Sequence, residues 1–239
     1  MKWSALITPL AAAALLSPVL AAKDEAKGDS PVVATVNGEP VTKSEWSAIW
    51  KADQWQAPVL KRQPGFNEKM QGKPYEDFFF REEVVKVRAM AQKYKDDLGA
   101  MKTAIDAIHQ QIAGGGDFAE LARKHSQDQG SAPNGGDLGE KEFHQLTFPF
   151  NRIAFGLKTG EVSEPFLTVF GYHVLKVEQV FPASPSEGKD KRVRVRNILI
   201  RFPSSDPLGE SESLATQAKV EVLDKGLCKK LPSFCPQES

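Results

Sequence analysis

Two cysteines, four histidines and one dense run of turn-forming residues are where this sequence concentrates its chemistry. Cys228 and Cys235 stand seven positions apart in GLCKKLPSFCPQES. That spacing closes a small loop in an oxidising compartment. It is not the Cys-x-x-Cys of a redox pair, and no histidine or further cysteine lies near enough to complete a zinc site. His109, His125 and His144 fall at no ligand spacing, so no metal site is expected. His173 lies in the alternating stretch FGYHVLKVE, where a strand histidine is by default a satisfied core residue. The run HSQDQGSAPNGGDLG, residues 125–139, packs glycines, a Ser-Ala-Pro-Asn knot and two aspartates between a helix pattern and a strand pattern. Read alone, Asp128 in that run is a turn-forming aspartate.

The surroundings of these residues are globular. The chain has 239 residues, 41% hydrophobic and 26% charged, enough for one medium domain and a smaller one. Lysine plus arginine and aspartate plus glutamate both total 31, so no net field draws in nucleic acid, and no nucleic-acid partner is expected. The opening MKWSALITPLAAAALLSPVLAA reads as a secretory signal over residues 1–22, cut after Ala21 or Ala22. Its apolar run holds Pro9 and Pro18 and is shorter than the roughly 20 residues of a span, so no stable membrane span is expected after cleavage. No cysteine marks a lipoprotein site. The expected location is therefore periplasmic or secreted, from a bacterial export signal.

The elements that position the chemistry follow from periodicity. Residues 23–30 are a charged leader. Val32, Val33 and Val36 predict a strand, Asn37-Gly38 a tight turn, and Thr42 or Ser44 a helix cap. Phe79, Val84, Val87, Met90 and Tyr94 predict one long amphipathic helix over 75–98 that ends at Gly99. A second helix over 100–113 stops at Gly114-Gly115-Gly116, and Asp117 caps a third. FPFNRIAFGL, 148–157, reads as a helix with Phe150, Ile153 and Ala154 inward. EPFLTVFGYHVLKVEQVF reads as two strands turning at Phe170-Gly171. RVRVRNILIRF is the strongest strand signal, with a bulge or two-sided burial near Asn197. ESLATQAKVEVLDKGL reads as a helix and the tail as irregular.

The ordered motifs Gly-Gly-Asp-Leu-Gly, Thr-Gly-Glu-Val-Ser and Phe-Gly-Tyr-His, between Asp117 and Glu178, resemble the parvulin family of peptidyl-prolyl isomerases. VVATVNGEPVTKSEW and the following helices are more loosely similar to the N-terminal chaperone region of SurA-like exported foldases. The resemblance implies an α+β fold: a small antiparallel sheet flanked by helices, with a mainly helical chaperone-like region before it. It implies a chaperone-like region at 23–99, a parvulin-like domain at 100–181 and a strand-helix segment with a tail at 182–239. It also implies a prolyl isomerase that needs no cofactor and acts on proline-containing unfolded or exported polypeptides. On that pattern Leu146 and Phe150 line a proline slot with Phe170 opposite and Leu138 beside them. Leu146 stands where the family usually carries methionine. Asp128 matches the acidic or thiol position beside the substrate carbonyl, His173 one of two pocket histidines, and Thr168 a hydroxyl in their network.

The sequence departs from the family at the opening strand, which should carry the second histidine ahead of the 100–113 helix. A helical pattern with Ala89 stands there instead. RVRVRNILIRF resembles the missing strand and places Asn197 at the histidine position. It is either the returning strand of a permuted sheet, the favoured alternative, or the start of a truncated second repeat, or a strand swapped between two chains; the oligomeric state stays open. Because asparagine cannot become charged, Asn197 leaves two functional readings: an isomerase with reduced activity, or a weakly catalytic chaperone or peptide-binding module.

Overall fold

In this computed structural model the described residues are 30–53, 70, 74–184, 186 and 190–235. The signal segment and most of the charged leader lie outside them. The chain opens with strands β1 (Val32–Val36) and β2 (Glu39–Thr42). They are joined by Asn37 and Gly38 at φ 49° and 83°, the left-handed pair that a two-residue hairpin demands. Helix α1 (Lys43–Asp53) follows at once, the Thr42 hydroxyl accepting the Glu45 N–H at 3.2 Å.

The predicted long helix is present but is neither uniform nor bounded as expected. It runs as α2 (Tyr75–Phe79), a π-helical segment (Phe80–Val85) and α3 (Lys86–Lys93). It breaks at Tyr94, where φ −103° and ψ 28° leave the helical region, and α4 (Lys95–Ala113) starts at the next residue. Gly99 is therefore inside α4 and does not end a helix. Its propensity cost of about 1 kcal/mol is small beside the burial of Met101, Ile105 and Ile108 on the same helix. Tyr94 anchors the break: its ring stacks on Phe202 at 5.0 Å and its hydroxyl donates to Glu210 at 2.8 Å.

Asp117 caps α5 (Phe118–His125), accepting the Glu120 N–H at 2.8 Å. Beyond the glycine-rich loop come β3 (Asp137–Glu142), α6 (Phe150–Gly156), β4 (Phe166–Thr168), β5 (Gly171–Phe181) and β6 (Arg192–Arg201). These strands form one antiparallel sheet in the order β3-β6-β5-β4. Strand β6 thus pairs with β5 and β3 of its own chain, Asn197 opposite Leu175. Burial around Asn197 is two-sided, from Asn197 through Ile200. Register slips lie on both partner strands, on β3 between Asp137 and Glu140, opposite Arg196 and Arg194 beside Asn197, and on β5 between Val177 and Gln179.

The C-terminal segment was expected to be one helix. Instead α7 (Pro207–Gln217) gives way to β7 (Val220–Val222), and α8 (Lys225–Cys228) follows. Strand β7 pairs with β1 in a three-stranded sheet of order β2-β1-β7. The alternation in KVEV is a strand period that the helix formers before it conceal. Cys228 and Cys235 are bonded to each other, as the loop spacing predicts.

Two cores hold this together. The first joins Val36, Val41, Trp46 and Ile49 of the N-terminal region to Phe150, Phe166, Leu175, Val177, Val193 and Val195 on one face of the four-stranded sheet. The second packs α3, α4 and α5 against the other face, through Met90, Ile105, Phe118, Val174 and Ile198. Among the described residues no helix is long and apolar enough to cross a membrane.

Candidate active site on the four-stranded sheet

Three strands and one loop bring the polar residues together. Thr168 ends β4, His173 lies on β5, Asn197 on β6, and Asp128 in the loop after α5. The Asp128 carboxylate is held by its own loop, accepting the Gly130 N–H at 3.1 Å and the Ser131 hydroxyl at 2.6 Å. Its Oδ2 also accepts the Asn197 Nδ2–H at 3.1 Å. That bond orients the amide, because only the NH2 end can face a carboxylate. Asn197 Oδ1 then faces His173 and accepts from Nδ1–H at 2.9 Å. The imidazole Nε2 is left as an acceptor for the Thr168 hydroxyl, 2.9 Å away, and the Thr168 oxygen accepts the Phe170 N–H at 3.0 Å. Every donor in the series points the same way, which fixes the neutral Nδ1–H form of His173.

The electrostatics agree with that assignment. Burial pushes His173 down to about 4, against the opposing pull of the Asn197 bond and the Asp128 charge. Burial works to raise Asp128, but the bonds from Ser131, Asn197 and Gly130 outweigh it and hold the carboxyl below its usual value. At neutral pH the site therefore pairs an ionised aspartate with an uncharged imidazole.

An aromatic cage encloses the imidazole. Phe166 stacks on it, centroids 5.4 Å apart and planes at 18°, and Phe150 meets it edge-on at 5.4 Å and 85°. Phe150 is buried, while Leu138 and Leu146 are half-buried and pack on the same core. These three are among the four residues, Leu138, Leu146, Phe150 and Phe170, that the resemblance puts around a proline slot. Phe170 departs from that expectation: its side chain packs with the helix-side core on the other face of the sheet. It sits in the turn before Gly171, so its main chain contributes a donor to Thr168 while its ring leaves the group. Ala89 is buried within α3 and takes no part.

The glycine run has a local reason. Gly136, at φ 77°, gives its carbonyl to the Asn197 N–H at 2.8 Å, and a Cβ there would lie 2.3 Å from the Asn197 carbonyl oxygen. Only glycine lets the loop press against β6 where Asn197 must be held. Two participants escaped the sequence reading. Ser131 was one of many small loop residues, though its place three after Asp128 is that of a local side-chain turn. Phe166 was hidden among the apolar residues of a buried strand, and its two-residue step to Thr168 was the available signal. Among the described residues no group of three or more His, Cys, Asp or Glu side chains could hold a metal ion.

Parts of this chain are similar to known proteins. Residues 85–179 match the model of the PPIC-type PPIase (rotamase) domain. The foldase protein PrsA of Geobacillus sp. (strain WCH70) is 37% identical over 142 residues, 59% of this chain and 50% of that protein. The chaperone SurA of Saccharophagus degradans is 47% identical over 72 residues, 30% of this chain and 17% of that protein. The chain spans about half the length of the PrsA relative it matches. A crystal structure of the peptidylprolyl isomerase PrsA from Bacillus cereus aligns over 80% of this chain and 84% of its own, with a TM-score of 0.27 and 16% identity.

Proposed function

We propose that the chain is a parvulin-type peptidyl-prolyl cis-trans isomerase that assists the folding of exported polypeptides in the periplasm or outside the cell. The domain reading is that residues 1–22 are removed, 23–99 form the chaperone-like region, and 182–239 return to complete the sheet of a parvulin-like domain at 100–181. Strand β6 then stands in for the family's opening strand in permuted order.

The observation that carries the reading is the unbroken hydrogen-bond series from Thr168 through His173 and Asn197 to Asp128 beside Phe150. Rotation about a prolyl amide crosses roughly 18–20 kcal/mol of lost resonance, and no bond is made or broken. The planar amide carries excess negative charge on its oxygen, and the twisted amide gives most of it back. A fixed carboxylate at Asp128, placed against that oxygen, disfavours the planar forms relative to the twisted one. Phe150, Leu138 and Leu146 supply the apolar wall for the pyrrolidine ring. Thr168, His173 and Asn197 hold the polar side rigid, so little reorganisation is needed at the barrier. Each 1.36 kcal/mol of preference is tenfold in rate.

A protease-coupled assay on short Xaa-Pro peptides tests this reading. Acceleration that is lost in Asp128→Ala supports it, and an uncatalysed rate at high enzyme concentration rejects it. The second reading, a peptide-binding module, is favoured by one observation: Asn197 cannot exchange a proton with His173. It predicts delayed aggregation of an unfolded client by a chain that leaves the isomerisation rate unchanged.

A further inference from the structure

Glu83 is fully buried in the π-helical segment, and Nε and Nη2 of Arg152 both donate to its Oε2, at 3.0 and 2.9 Å. Arg152 lies on α6, two residues after Phe150. Helix α6 has only seven residues and no side-chain hydrogen bond at its N-terminus, so tertiary contacts must set its orientation. The wide turn of the π segment, in which the Lys86 N–H reaches the Arg81 carbonyl, rotates the following helix by about 100°. That rotation lets Phe79, Phe80 and Val84 pack on the first core while Val87 and Met90 pack on the second. Glu83 Oε1 and the Nδ2 of Asn151, the residue between Phe150 and Arg152, are both buried without a partner. A purely structural link of this kind would be better served by apolar residues of the same volume.

We propose that Glu83 is a positioning residue for the proline slot: through Arg152 it holds α6 where the Phe150 ring stands edge-on to His173. The N-terminal segment then sets the fit of a prolyl peptide, from a residue that precedes the 85–179 family match. The inference rests on the isomerase reading for its effect on turnover, but its structural content can be tested separately.

The test compares Glu83→Gln with the double variant Glu83→Leu/Arg152→Met, which removes both charges and keeps the volume. The readouts are KM and kcat on an Xaa-Pro peptide, and the NMR shifts of the His173 ring protons, on which the edge-on Phe150 ring acts. The expected result is a rise in KM of about fivefold or more with kcat changed less than about twofold, and displaced His173 signals, the double variant showing the larger effect. A folded double variant with wild-type KM and wild-type His173 signals overturns the proposal. If the wild-type chain does not accelerate isomerisation, the isomerase reading fails, and the His173 signals alone decide: displaced signals uphold the positioning role and unmoved ones reject it.

Discussion

Phe166 lies nearly flat on His173, ring centroids 5.4 Å apart, while Asn197 and Thr168 take the two ring nitrogens at 2.9 Å each. The imidazole is thereby closed on one face and at both nitrogens. A buried ring so enclosed acts as a spacer of fixed geometry, and its chemistry depends on staying neutral.

Stability should register that neutrality. His173 titrates near 6.5 in the unfolded chain and near 4 in the folded one, so the unfolded state binds more protons between those values. Its contribution is complete above about pH 6.5 and is lost as pH falls towards 4, on the order of 3 kcal/mol. Asp128 acts in a lower window, its contribution being lost only as pH falls below the ordinary aspartate range. Urea denaturation at pH 7, 5.5 and 4.5 measures the slope, and His173→Gln is expected to flatten it.

Asn197→Ala should cost more than its size suggests. It leaves the His173 Nδ1–H without an acceptor and removes one of the Asp128 donors, an expected loss of about 2–4 kcal/mol. Turnover should fall about tenfold or more on an Xaa-Pro peptide. Asn197→His is expected to keep most of the stability, because histidine can accept from one neighbour and donate to the other. A stability change under 0.5 kcal/mol for Asn197→Ala, read by chemical denaturation, would contradict the bonding described here.

Phe150 and Leu146 should separate packing from binding. Phe150→Ala removes a buried ring from the first core, with an expected loss of about 3–5 kcal/mol. Leu146 is half-buried, so Leu146→Ala should cost much less stability while raising KM for a prolyl peptide. Thermal melts beside peptide kinetics check the pair. Equal losses of stability with unchanged KM would make both residues core alone.

Gly136→Ala is expected to displace β6. The added carbon would lie 2.3 Å from the Asn197 carbonyl oxygen, at a φ that alanine disfavours. A loss of about 2 kcal/mol or more, with altered His173 NMR signals, is the expected outcome. Gly139→Ala is the control, because no atom lies within 4 Å of its added carbon, and its cost should be the backbone strain alone.

Breaking the Cys228–Cys235 bond should loosen the C-terminal segment first. Its loop is short, so replacing both residues with serine is expected to remove about 2.5 kcal/mol by the chain-entropy relation. Hydrogen exchange should rise earliest in β7 and α8.

Much of this arrangement was legible in the sequence because it rests on local signals. The Asn37-Gly38 turn, the Asp117 cap and the β4–β5 turn each announce themselves within four residues. His173 lies in one of the ordered motifs, Asp128 and Thr168 came from the family resemblance those motifs carry, and the structure places all three in one series with Asn197. What was missed depends on distant partners. The break at Tyr94 is set by Phe202 and Glu210, more than a hundred positions away. Strand β7 exists because β1 offers it an edge. The ring of Phe170 packs on the core at the opposite face of the sheet, among residues from α3, α4 and α5. No periodicity over a single window carries such information.

Strands β6 and β7 each complete a sheet begun far upstream, β7 lying against β1 and β6 between β3 and β5. The four-stranded sheet therefore cannot close before the chain has been made through Arg201, nor the three-stranded sheet before Val222. Until then the growing polypeptide holds only local helices and hairpins, with its apolar strands open to solvent. Pairing between segments so far apart makes folding slow, because the long loops between them must close before their contacts form.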